Sequence, residues 1–312
     1  MSGYHDGSAR SAFIGTLAGM GLTVGAITAL SAAPARAHAA TVVSASRAAT
    51  TRAALSADDY YNKGRDEVNR GQYRAAIVDL THALKIDPND EEAYVERGIA
   101  KRHLGDYAGA LSDYNRAIKI DPKDATAYFD RGLDRYYSGD KRGAIVDYNT
   151  AIRLDPANPD PYVSRGLARY DLGDAAGAVA DDTQAIKLKP RDADAYYNRG
   201  LARFDLGKYT LAVDDYTASL RYHPNDPDAY YGRGVAKRHL HNYAAAIVDY
   251  NMAIRLRPAF ADAFYARGLA HEYNDQRDAA IKDYRAALTL YQRQHNADGA
   301  KKALDALHNL GQ

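Results

Sequence analysis

His239 and His241 stand two residues apart, and Asp87-Pro88-Asn89-Asp90 brings two carboxylates into one turn; these are the places where the sequence could seat a metal ion. Neither spacing suits one. Residues at i and i+2 do not share a helical face, and an acid after a Pro-Asn turn is what a helix N-cap needs without any ion. With no cysteine there is no thiolate ligand, no disulfide and no cysteine nucleophile. The phosphate-cradling Gly-x-x-x-x-Gly-Lys-Ser/Thr, the nucleophile elbow Gly-x-Ser-x-Gly, His-Glu-x-x-His and a strand-led Gly-x-Gly-x-x-Gly are all missing. The expectation is a protein that is no enzyme, with no catalytic residue, no metal and no cofactor. A net charge of +1 spread over 312 residues gives no basic face for nucleic acid.

What the composition does carry is tyrosine, 26 of them beside 5 phenylalanines. The surplus follows from a period. Pro88, Pro122, Pro156, Pro190, Pro224 and Pro258 are 34 residues apart, as are Gly64, Gly98, Gly132, Gly166, Gly200, Gly234 and Gly268. Placing those glycines at position 8 divides the chain into seven units: 57–90, 91–124, 125–158, 159–192, 193–226, 227–260 and 261–294. Positions 4, 8 and 11 then fall on one helical face and 20, 24, 27 and 28 on another, so each unit reads as two amphipathic helices. Glycine at 15, in Gly71, Gly105, Gly139, Gly173 and Gly207, ends the first helix. Proline at 32 stops the second, and Asp90, Asp124, Asn158, Asp192 and Asp226 are the expected N-caps of the next.

Aromatic at 4, Gly at 8, Ala at 20, aromatic at 24, Ala at 27 and Pro at 32 recur in register, and on these residues the chain resembles the tetratricopeptide repeat family over 57–294. The resemblance implies an all-α, right-handed superhelical solenoid of helix-turn-helix units whose first helices line a concave groove, with positions 2, 5, 9, 12 and 13 facing it. One departure stands out. Position 7, usually Leu in the family, is Lys63 and then Arg97, Arg131, Arg165, Arg199, Arg233 and Arg267, while position 23 is Asp in every unit. A ladder of partly exposed Arg–Asp pairs at the edge of the helix seam is expected.

Fifteen tyrosines at positions 4, 17 and 24 are explained by packing, and eight more stand at 5, 12 and 13. The groove residues singled out are Tyr61, Phe129, Tyr136, Tyr137, Tyr170, Tyr197, Phe204, Tyr231 and Tyr265, because large rigid rings with a hydroxyl suit recognition of an extended peptide or helix. The clusters Lys101-Arg102-His103-Leu104 and Lys237-Arg238-His239-Leu240 lie four units apart and could clamp an acidic segment from two walls, adding Arg102, His103, Arg238 and His239; duplication of one ancestral unit explains their identity equally well. The family's two-carboxylate clamp, with Lys at 5 and Asn at 9, is not carried over, since both positions are mostly apolar here. The expected function is a scaffold or adaptor for a protein or peptide partner, with self-association as a further partner mode; the alternative is a glycan or small-ligand binder, or an accessory subunit in envelope polysaccharide assembly.

At the ends, residues 1–37 read as a secretory signal, with Arg10, an apolar stretch from Phe13 to Leu30 and Ala35-Arg36-Ala37 at the cleavage point. Export to a periplasm is expected; a membrane anchor by the uncleaved segment, or a transit peptide, are the alternatives. Residues 38–56, without an aromatic, read as a flexible linker, and 295–312 as a C-terminal capping helix that buries Ala300, Ala303, Leu304, Leu307 and Leu310. The fourth unit has Asp182 where the ring at 24 belongs and Ala175 at 17, and is expected to be the least stable.

Overall fold

A computed structural model describes residues 55–312, so the signal segment 1–37 and nearly all of the linker 38–56 lie outside the described residues. Those residues hold fifteen helices and no strand. They are α1 (Ala57–Asn69), α2 (Tyr73–Ile86), α3 (Glu91–His103), α4 (Tyr107–Ile120), α5 (Ala125–Tyr137), α6 (Lys141–Leu154), α7 (Asp160–Asp171), α8 (Ala175–Leu188), α9 (Ala193–Asp205), α10 (Tyr209–Tyr222), α11 (Pro227–His239), α12 (Tyr243–Leu256), α13 (Ala261–Tyr273), α14 (Arg277–Arg293) and α15 (Ala297–Asn309). Odd helices up to α13 open a unit and even ones close it. Successive first helices pack against one another, whereas no comparable packing joins successive second helices. The first helices are therefore the inner layer of an all-α solenoid.

Five of the seven units close around one ring, and the first closes around Leu80. Tyr114, Tyr148, Tyr216, Tyr250 and Tyr284, at position 24, are 0–1% exposed and press on the glycine at position 8. A Cβ on Gly98 would lie 2.7 Å from the Tyr114 ring, and one on Gly268 the same distance from Tyr284, so the small residue is what lets the two helices meet. In the fourth unit Asp182 takes that place, is 0% exposed, and neither of its oxygens has a hydrogen-bond partner.

The turn signals act as the sequence suggests, with two differences. Gly71, Gly105, Gly139, Gly173 and Gly207 adopt φ from +71 to +95°, but His241 and Asp275 hold the same left-handed position without glycine. Asp90, Asp124, Asp192 and Asp226 cap their helices through the side chain; in the fourth unit the cap is Pro159, and Asn158 instead accepts from the Asp160 N–H at 3.0 Å. Proline fixes the preceding turn, so the helix begins one residue late. Without a proline at position 32, α14 extends to Arg293. In α15, Ala303, Ala306 and Leu307 are buried while Leu304 is 51% exposed, which corrects the expected apolar face by one residue: Gly299 packs flat on the Tyr291 ring and sets the rotation of the helix.

The ladder at positions 7 and 23 is complete, with all seven cation–carboxylate pairs at 2.5–2.7 Å. It is more deeply set than a partly exposed edge, since the seven aspartates are 1–6% exposed. Arg131 shows the geometry: Nε donates to Asp147 Oδ2 at 2.9 Å, Nη2 to Oδ1 at 2.6 Å, and Nη1 reaches back to Asn115 of the preceding unit at 2.8 Å. Thr81, Asn149, Thr183, Thr217 and Asn251 receive the other five arginines in the same way. A second cation, from position 11, completes most rungs, as Arg135 does on Asp147 at 2.8 Å. The guanidinium's planar fork is what allows one side chain to serve two units.

Candidate protein-binding groove

The inner layer positions the aromatic residues in two rows. Phe129, Tyr197, Tyr231 and Tyr265, at position 5, are part-buried and lie 5.5–6.0 Å from the ring at position 24 of their own unit. Tyr61 is likewise part-buried, with the Arg65 guanidinium 5.5 Å from its ring. These side chains cover the unit's core and keep part of their surface exposed. Burial holds the hydroxyls of Tyr61 and Tyr197 above their ordinary range, so both remain neutral donors at any physiological pH.

The second row, positions 12 and 13, joins neighbouring units. His103 stacks on Tyr73 at 4.3 Å, His239 on Tyr209 at 4.7 Å and Tyr273 on Tyr243 at 5.4 Å. In the middle an ion pair replaces the rings: Lys141 reaches Asp171 at 2.7 Å, and the Tyr136 hydroxyl donates to the same carboxylate at 2.7 Å. Tyr137, 40% exposed, stands edge-on to Tyr136, and Tyr170 is part-buried. Phe204 is a correction to the sequence reading. It is 8% exposed and fills the angle between Tyr209 and His239, each 5.2 Å or less from a neighbour in that trio, so it is packing and not a ligand contact.

The two Lys-Arg-His-Leu clusters need a second correction. Lys101 and Lys237 belong to the ladder, on Asp113 and Asp249 at 2.7 and 2.8 Å. Arg102 binds Asp130 of the next unit at 2.9 Å and lies 3.7 Å from Asp134. His103 and His239 are stacked as described, and Arg238 faces the buried Tyr250 hydroxyl. The lysine and the histidine do the same structural work at each site, while Arg102 is paired with a carboxylate and Arg238 lies against a tyrosine.

An acidic group stands where the sequence reading stressed aromatics. Around Arg102 and the buried Tyr114 hydroxyl gather Asp130, Asp134 and, one unit earlier on α3, Glu96, with Glu92 beside Tyr61. Asp134 is 0% exposed with no hydrogen bond to either oxygen; burial, with Asp130 alongside and Arg102 opposing, pushes its carboxyl up to about 7. Burial and the charges of Asp130 and Glu92 bring Glu96 up to about 7 as well, against Arg65. A signal for this was legible: position 10 is Ala100, Ala168, Ala202, Ala236 and Ala270 in five units, and Asp134 interrupts that column, as Asp66 does in the first unit.

Family models described as tetratricopeptide repeat match residues 60–90, 197–259 and 261–294, and one described as TPR repeat matches 100–136, 132–173 and 166–207. No curated relative matches the sequence. Among solved structures, the MamA protein is 28% identical, covering 55% of this chain and 94% of its own, with a TM-score of 0.51. YrrB, described as a TPR protein with an unusual peptide-binding site, is 23% identical over 60% of this chain and 97% of its own, with a TM-score of 0.53. A tetratricopeptide repeat protein from Parabacteroides merdae is 20% identical over 80% of this chain and 98% of its own, with a TM-score of 0.59.

Proposed function

The chain belongs to the tetratricopeptide repeat family, and from that premise we propose that it is a non-enzymatic scaffold whose inner face binds an extended segment of a protein partner. The observation that carries this reading is the row of half-buried rings at position 5, from Tyr61 to Tyr265, spread along one continuous layer of helices. A ring already held on its inner side has lost its rotamer freedom before any partner arrives, so its open face binds at low entropic cost. Helix side faces also leave no unpaired backbone groups, so recognition rests on side chains, which suits an adaptor. A fold neighbour, YrrB, carries a peptide-binding site by its description.

The test is site-specific photo-crosslinking. A photoreactive residue in place of Tyr137, on the inner face, is expected to capture a partner segment; one in place of Val146, 60% exposed on α6, is not. Capture through 146 and not through 137 would move binding to the outer face and reject the groove.

A further inference from the structure

The first helices carry a recurrent acid near their start. Although the whole chain carries +1, the position that opens each first helix reads Asp58, Glu92, Asp160, Asp194, Asp228 and Asp262 in six of seven units. Asp228 is met by Arg257 through two bonds, at 2.9 and 2.6 Å, and Asp262 by the Tyr291 hydroxyl at 2.6 Å. Glu92 and Glu96 have no such two-bonded cation: Glu92 is met by the Tyr61 hydroxyl, and Glu96 has only the charge of Arg65 to oppose its burial. They sit one turn apart on α3 and so share a face, with Glu92 exposed and Glu96 part-buried.

Behind them the chain is short of positive charge. Arg102 is divided between Asp130 and Asp134, Arg65 lies over the Tyr61 ring, and Asp134, wholly buried, is left with no hydrogen bond at either oxygen. Four carboxylates are thus served by two guanidinium groups, whereas each of the seven aspartates at position 23 has a cation of its own. Tyr61 of the first unit stands beside both glutamates, and Val95, next to Glu96 in the chain, is buried.

Resting on the groove reading above, we propose that the patch of Glu92 and Glu96, backed by Asp130 and Asp134 and walled by Tyr61, receives a lysine or arginine side chain of an extended partner segment. A cation placed there meets two carboxylates, one exposed and one part-buried, and charge-assisted hydrogen bonds are short and strong. Its methylene stem or guanidinium plane lies on the flanking Tyr61 ring. The partner is accordingly basic, the opposite of the acidic segment that the Lys-Arg-His-Leu clusters suggest from sequence.

The test uses the full chain and two fluorescein-labelled dodecapeptides, one alternating arginine with serine and one alternating glutamate with serine, followed by fluorescence anisotropy. The arginine peptide is expected to bind, more weakly at 300 than at 50 mM salt, and the glutamate peptide not to. Glu92→Gln/Glu96→Gln should weaken the arginine peptide at least tenfold. Asp214→Asn/Asp278→Asn removes the same charge from exposed sites on second helices and should leave it within twofold. Equal losses in the two variants, or binding of the glutamate peptide alone, would overturn the proposal. Circular dichroism melts of both variants exclude unfolding as the cause, and crosslinking through position 137 reads the groove itself, so that the groove can survive while the basic-residue site fails.

Discussion

Asp147 accepts from two arginines while Arg131 gives to one aspartate and one asparagine, so the members of a rung are not equivalent. Asp147→Ala strands two guanidinium groups at a buried seam and is expected to cost about 3–5 kcal/mol in urea unfolding. Arg131→Ala leaves Arg135 on the carboxylate and should cost clearly less. The residue scale also sets a pH response. Asp134 has a folded value near 7 against about 3.9 unfolded, so between those limits the folded state holds a proton that the unfolded state has lost, and stability falls as pH climbs through the window. Asp134→Asn should therefore stabilise by up to about 4 kcal/mol at pH 8 and by little at pH 4; a difference that is the same at both pH values would argue against it. Glu96, also near 7, binds a cation best when ionised, so the arginine peptide should bind more tightly at pH 8 than at pH 6. The Arg–Asp pairing was legible because both columns are unbroken in sequence, and the acidic patch was not, because its members sit at positions 2, 6 and 10 of different units and become neighbours only once first helices lie side by side.

At the scale of the helices, the fourth unit is distinguished by three local facts: Asp182 in place of a ring, a proline cap without a side-chain bond, and a first helix one residue shorter than its fellows. Burial holds the Asp182 carboxyl well above its ordinary range, which relieves the charge without filling the missing ring's volume. Amide exchange is expected to be fastest in α7 and α8 among the inner units, and uniform protection from α3 to α12 would refute that. Helix boundaries followed from glycine, aspartate and proline columns, so they could be read in advance. The rotation of α15 could not, since it depends on Gly299 meeting Tyr291, a contact between two helices that share no repeat column. Where glycine is missing from the turn, Asp275 holds φ +57°, and Asp275→Gly should gain about 0.5–1 kcal/mol by removing left-handed strain.

Over the whole molecule, each unit touches its neighbours and nothing farther, and such arrays unfold as coupled segments more than as one block. Tetratricopeptide architecture was plain from the period alone. The charge of the proposed partner was not, because net charge is summed over the whole chain and hides a local group such as Glu92 and Glu96. Every arginine of the ladder reaches toward the unit before it and none toward the unit after. The array therefore has a grain. Trimming units from the C-terminal end removes whole rungs and leaves only an idle threonine or asparagine, while trimming from the N-terminal end leaves a guanidinium reaching for a unit that has gone.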